Sequence, residues 1–248
     1  MFKVDSPKTY VIVPCFNEEN RLDTNYWNNI VEQTEFTWVF VDDGSTDQTT
    51  KKLSEIKNIN VLKLEKNSGK GEALRFGTNY VFGINSAEEI CIAYLDADGA
   101  FDSKDITRIF SIFQEKIIGG LYQSVWSSRV ALSGRKITRS LFRHYLSRVI
   151  VSIIGFTDKN LPYDPQTGFK IFLIDSDSRS IFKDKFKTRW FFELEIRNRW
   201  EKLKNRDLNI WEEPVNYWKD IVGSKVNSKQ VFRILVELLI VLRMNTKK

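Results

Sequence analysis

The stretch IAYLDADGAF, residues 92–101, sets the problem: an apolar run leads straight into two aspartates one residue apart. Ile92 to Leu95 suit a buried strand, whereas Asp96 and Asp98 do not. A strand that ends in carboxylates usually ends at a site. Working outward, the same pattern recurs. TYVIVP (9–14) reads as a buried strand stopped by Pro14, FTWVFVDD (36–43) as a second strand, INVLKLEK (59–66) as a third and EICIAYLDAD (89–98) as a fourth. Between them, 17–33, 45–56 and 69–84 carry helical patterns, and 103–116 follows the fourth strand as another. Ser45 or Thr46 is the N-cap candidate of the second helix.

Strand–helix units of this length predict an α/β fold: a mostly parallel, Rossmann-like sheet with helices on both faces, in one domain. Ligands of such sheets bind beyond the carboxyl ends of the strands. There the sequence places PCFNEEN, DDGSTD, NSGKG and DADGA, four polar ends in register. The second half is less periodic. It reads as one amphipathic helix over 135–156, a turn and strand over 163–172, an aromatic-rich helix over 189–200 and an edge strand over 209–218 containing Pro214. No internal repeat or low-complexity linker interrupts the chain.

Composition bounds the function. The chain has 248 residues, 42% hydrophobic and 28% charged, with a formal net charge of +6, a packable balance that suits an anionic partner. The two cysteines, Cys15 and Cys91, lie in strand-like runs without a CxxC motif, and the single histidine, His144, cannot build a His-rich metal site. MFKVDSPK shows no signal-peptide core, no spanning helix is expected, and a cytoplasmic location follows. VFRILVELLIVLRM (231–244) is densely apolar but broken by Arg233, Glu237 and Arg243. Two readings stay open for it: a helix packed on the core, or an interfacial helix that makes the protein peripheral on the inner face of a membrane. The aromatics sit in core-like runs, so nucleic-acid binding is not expected.

Asp96 and Asp98 flank Ala97 in an extended segment and so share one face. Two such anions call for a cation between them, and an oxygen-only site suits Mg2+ or Mn2+, with a ligand diphosphate supplying further oxygens. Solvated turn aspartates are the plainer alternative. Asp42 and Asp43 can accept hydrogen bonds from a base or ribose, and Lys70, between Gly69 and Gly71 at a helix start, suits phosphate. Neither GxxxxGK[ST] nor GxGxxG is present.

PCFNEEN, VDDGSTDQT, NSGKGEAL and LDADGAF, in this order and spacing, resemble the nucleotide-sugar-binding half of family 2 glycosyltransferases with the GT-A fold. YDPQTGFKIF, RWFFELEI and EEPVNYWKDIVGSKV are similar to the polyprenyl-phosphate branch of that family, its dolichyl-phosphate β-glucosyltransferase group first and the mannosyltransferases next. The resemblance implies a catalytic domain over 1–227 and a C-terminal amphipathic helix over 228–248. It implies that Pro14, Phe16, Glu18 and Asp42 frame base and ribose, that Lys70 and Arg129 lie near the phosphates, and that Asp96 and Asp98 hold metal and diphosphate. Gln166, Thr167 and Gly168 would line the sugar or acceptor side, Trp190 and Glu193 would touch sugar or acceptor, and Lys225 would sit in a closing loop. The mannosyltransferases carry Gln two positions after the second aspartate; Ala100 stands there in this chain.

The expected reaction is inverting transfer of a hexose from a nucleotide-diphosphate sugar, UDP-glucose ahead of a GDP-sugar, to a polyprenyl phosphate; a saccharide hydroxyl of a cell-surface polysaccharide is the alternative acceptor. A phosphate acceptor is ionised at neutral pH and needs arginines, for which Arg135, Arg139 and Arg143 are candidates against the plainer reading of a solvated basic face. A hydroxyl acceptor needs a carboxylate base, for which Glu193 and Asp164 are candidates. A nucleotidyltransferase would open with a Gly-rich basic loop after strand one, which PCFNEEN is not. A non-catalytic binding module would have no chemical reason to keep charged groups at all four strand ends.

Overall fold

The computed structural model describes residues 7–221 and 228–245. A seven-stranded sheet carries the chain. Its strands are β1 (Thr9–Cys15), β2 (Thr37–Asp42), β3 (Ile59–Lys63), β4 (Glu89–Leu95), β5 (Ser124–Ser128), β7 (Phe169–Asp175) and β8 (Ile210–Pro214), in the order β3-β2-β1-β4-β7-β5-β8. The first four are mutually parallel, β7 runs antiparallel to both β4 and β5, and β8 returns parallel to β5 as the edge. Pro214 therefore sits on an edge strand, where a missing N–H does no harm. A separate two-stranded ribbon joins β6 (Lys136–Thr138) to β9 (Tyr217–Lys219).

Alternate residues of the strands feed opposite cores. Val11, Val13, Cys15, Trp38, Phe40 and Leu95 face α1 (Thr24–Glu32) and α4 (Ser103–Ile118), with Trp27 edge-on to Phe40 at 5.0 Å. Tyr10, Ile12, Val39, Val41, Ile92 and Tyr94 face α3 (Lys70–Ile84) and α6 (Phe192–Lys204). Helices on both faces make this the expected α/β architecture. A third, smaller cluster joins α5 (Leu141–Gly155) to α7 (Ser228–Asn245) through Ile150, Ile154, Ile234, Leu238 and Val241, closed by Phe191 and Leu194.

Three helices start later than their periodicity suggests, each because polar side chains capture local backbone. Helix α1 begins at Thr24, since Asn17 takes a left-handed φ of 51° and the Asp23 carboxylate accepts the amides of Asn25 and Tyr26. Short α2 (Thr49–Leu53) is not capped by Ser45 or Thr46. Instead Asp42 accepts the Ser45 amide, and Asp47 accepts that of Thr49. Residues 135–140, read as helix, hold β6, and α5 starts only after Ser140, whose amide donates to Asp220. Helix α7 packs on the domain: its Glu237 is buried and accepts the amides of Arg189 and Trp190 at 2.9 and 2.8 Å. Its opposite face leaves Leu235, Val236 and Leu239 exposed. Among the described residues no helix is long and apolar enough to cross a membrane.

Candidate active site

A cleft of about 490 Å³ opens beyond the carboxyl ends of β1, β2 and β4 and runs on to α5 and α7. Its floor is the end of β4. The Asp96 amide donates to Gly168 O at 2.9 Å, and its carboxylate reaches Lys70 Nζ at 2.5 Å. Gly168 allows a close approach: a Cβ there would lie 2.1 Å from Asp96 Oδ2 and force that side chain to move. Asp98 accepts the Ala100 amide at 3.2 Å and has Arg21 at 3.8 Å, which also pairs with Glu18 at 2.5 Å. Burial first, and the charge of Asp96 second, push the Asp98 carboxyl up.

Lys70 is the first residue of α3, preceded by Gly69 at φ 99°, a backbone that favours glycine. Burial works against its charge, but Asp96 and Glu193 outweigh that and raise its pKa. Asp43 reinforces the same turn: its carboxylate accepts the amides of Ser68 and Gly69, both at 2.7 Å, and the Asn67 side chain at 3.1 Å. Pro14, Phe16, Glu18 and Asp43 line this end of the cleft. Asp42 does not. Neighbouring strand residues face opposite ways, and Asp42 is fully buried, committed to the Ser45 amide at 2.8 Å and the Thr50 hydroxyl.

Arg129, Gln166, Trp190 and Glu193 all line the cleft. Arg129 holds Asp164 with both Nε at 2.7 Å and Nη2 at 2.8 Å. Burial pushes the Asp164 carboxyl up, but the Arg129 charge and hydrogen bonds prevail and hold it well below the usual carboxylate range. Removing one partner of such a buried pair typically costs about 3–5 kcal/mol. Asp164 is therefore a brace for Arg129, off the cleft lining, and not a free base. Thr167 is fully buried, its hydroxyl 2.7 Å from that of Ser127.

Of the basic candidates on the acceptor side, Arg139 lines the cleft and Arg135 does not; the two flank ribbon strand β6 at its opposite ends, and neither lies on the helix. Among the described residues Arg139 Nε has no hydrogen-bond partner. Burial, then the charge of Arg129, lower its pKa. Leu146, Ile150 and Ile234 line the same cleft. The side chain of Arg143 and the whole of Lys225 lie outside the described residues. Sequence reasoning missed Arg21, Arg189 and Arg233, which also line the cleft. Arg21 directly follows PCFNEEN and Arg189 opens RWFFELEI, and basic residues there are the signal that could have found them.

The donor set fits a hard divalent cation only in part. Asp96 and Asp98 supply two carboxylates, and among the described residues no cluster of three or more His, Cys, Asp or Glu could hold a metal alone. Two carboxylates alone suit an ion that takes its remaining oxygens from a bound diphosphate.

A family model described as "Glycosyl transferase family 2" matches residues 10–179. The chain belongs to that family. It is 31% identical over 241 residues to the dolichyl-phosphate beta-glucosyltransferase of Dictyostelium discoideum, covering 90% of this chain and 70% of that protein. It is 32% identical over 248 residues to the human dolichyl-phosphate beta-glucosyltransferase, covering 90% and 71%. Among solved structures, glucosyl-3-phosphoglycerate synthase of Mycobacterium tuberculosis in complex with Mg2+ and UDP superposes with a TM-score of 0.67 at 14% identity, covering 97% of this chain and 79% of that one. The same enzyme with Mn2+, UDP and glucosyl-3-phosphoglycerate gives 0.63. These likenesses bear out the expected GT-A fold.

Proposed function

We propose that this family 2 glycosyltransferase moves glucose from UDP-glucose to a polyprenyl phosphate with inversion. The observation that carries the reading is Arg139, a cation whose Nε lacks a partner among the described residues, in a cleft whose wall includes the apolar Leu146, Ile150 and Ile234 as well as Asp96 and Asp98. An anionic head on a hydrocarbon chain satisfies both halves of that wall. The names of the relatives agree with it.

Pro14, Phe16, Glu18 and Asp43 are assigned to the nucleoside end, and Lys70 to the diphosphate. Asp96 and Asp98 would hold Mg2+ or Mn2+, which when bound neutralises charge on the departing diphosphate. Lys70 supplies a second cation for the same charge. On this reading a phosphate oxygen of the acceptor attacks the anomeric carbon as the bond to the UDP oxygen breaks. A phosphate monoester with a second pKa of about 6 is already ionised, so no base is required. Arg129, braced by Asp164, and Arg139 orient the acceptor. Gln166 and Trp190 are assigned to the sugar or acceptor side.

The acceptor would arrive from a membrane. Leu141, Tyr145 and Val149 stand exposed along one side of α5 at near-helical spacing, and Phe156 just past its end is exposed too. Leu235 and Leu239 of α7 are exposed as well. Such a surface suits peripheral contact with a bilayer.

The test is incubation of the protein with membranes and labelled UDP-glucose or GDP-mannose. Label from UDP-glucose should enter an organic-soluble, acid-labile product, and Arg139→Ala should abolish this. Label appearing only in water-soluble polysaccharide would favour the saccharide-acceptor reading, which the cleft position of Glu193 supports. Glu193→Gln separates the two further: severe loss with a saccharide acceptor, modest loss with a lipid phosphate.

A further inference from the structure

Lys170 is the anomaly of the sheet. It sits on β7 opposite Tyr94 of β4 and Trp126 of β5, with no exposed surface at all. A buried ammonium is unfavourable unless every proton is used, and here all three find an acceptor. Nζ reaches the Tyr94 hydroxyl at 2.6 Å, Thr167 O at 2.7 Å and Glu193 Oε1 at 3.3 Å. The rings of Trp126 and Tyr94 lie 4.7 and 5.2 Å from it. Replacing lysine and glutamate together by apolar side chains can be neutral for folding, whereas removing the lysine alone leaves the Glu193 carboxylate buried without its cation, so the lysine is tied to that carboxylate.

What the lysine does is direct its neighbours. With Nζ donating to the Tyr94 oxygen, the phenolic proton turns to Glu193 Oε1 at 2.6 Å. Both donors therefore converge on one oxygen of Glu193, a residue otherwise buried but lining the cleft. On the cleft side, Lys70 Nζ lies 5.2 Å from the Tyr94 ring and pairs with Asp96. The groups acting on Lys170 are Glu193, Lys70 and Asp164; burial is the largest influence and brings its pKa down to about 8.

We propose that Lys170 and Tyr94 are positioning residues that tie down Oε1 of Glu193 and leave Oε2 aimed into the cleft, as an acceptor for a hydroxyl of the transferred hexose. The inference rests on the donor reading above. Neither residue touches the substrate. They act by fixing the direction and charge of the one carboxylate that does, and UDP, which lacks the hexose, should not sense them.

The experiment is calorimetric titration of the full chain, in Mn2+, with UDP and with UDP-glucose. It compares the unaltered protein with Lys170→Met, Tyr94→Phe, Glu193→Gln and Lys170→Met/Glu193→Gln. The affinity for UDP should stay within about twofold, while UDP-glucose should bind about tenfold more weakly to Lys170→Met, the scale of one charge-assisted hydrogen bond. The double variant should bind UDP-glucose no more weakly than Glu193→Gln alone. Equal weakening toward both ligands would reveal a merely structural role and overturn the inference, as would unchanged UDP-glucose binding. Tyr94→Phe keeps the ring and provides the same comparison should Lys170→Met not fold. If the unaltered chain binds UDP but not UDP-glucose more tightly than Glu193→Gln does, Glu193 is no hexose acceptor and the inference falls. Failure of the unaltered chain to bind either nucleotide would remove the donor reading first and this inference with it.

Discussion

Gly168→Ala is the sharpest perturbation the site offers. The glycine has no unusual φ, so an alanine would meet no backbone strain, and the effect is purely one of contact. The new Cβ would stand 2.1 Å from Asp96 Oδ2 and 2.4 Å from its Cγ, where real Cβ atoms essentially never come within 3.0 Å. Asp96 must therefore retreat by roughly 1 Å, which should displace its carboxylate from the contact with Lys70. A misplacement of about 1 Å can cost on the order of 100-fold in turnover, or about 2.7 kcal/mol of barrier. Folding should suffer less, because the Asp96 side chain is 31% exposed and an off-rotamer χ costs only about 0.5–1.5 kcal/mol. The assay is transfer of labelled glucose to a short-chain polyprenyl phosphate, with a thermal melt run on the same preparation. A variant that melts within a few degrees of the parent and turns over about 100-fold more slowly is the expected result. Turnover within threefold of the parent would refute the reasoning, since it would mean that the position of Asp96 does not matter.

The Arg129–Asp164 pair predicts a pH dependence of stability. The folded state holds the Asp164 carboxyl below its unfolded value, so the pair stabilises the fold above pH about 4 and loses this as pH falls further. Asp164→Asn should lower the melting temperature at pH 7 and narrow its gap to the parent in acid; a gap that widened toward acid would contradict the assignment. On α5, Tyr145→Asp with Val149→Asp should reduce sedimentation with anionic phospholipid vesicles severalfold while leaving UDP binding intact. Unchanged sedimentation would remove that face from membrane contact.

The first half of the chain was legible because β1, β2 and β4 are buried on both sides and so read as continuous apolar runs, each ending in charge. Helix starts were less legible. Asp23, Asp42 and Asp47 bind nearby amides, a competition that periodicity does not reveal. Asp42 and Asp43 looked equivalent, and only the direction of the strand end separates a buried brace from a residue on the cleft. Lys170 was invisible for the opposite reason. A lysine in a strand reads as a solvent-facing residue, and its side-chain acceptors, Tyr94 on β4 and Glu193 on α6, are distant in sequence.

Glu237 gives the last helix a mechanical meaning. By gripping the amides of Arg189 and Trp190, it fastens α7 to the segment that leads directly into Glu193. A force applied to α7, by a surface leaning on Leu235 and Leu239 for example, reaches the Trp190 and Glu193 end of the cleft through two hydrogen bonds. Changes to α7 are thereby coupled to the residues that line the cleft.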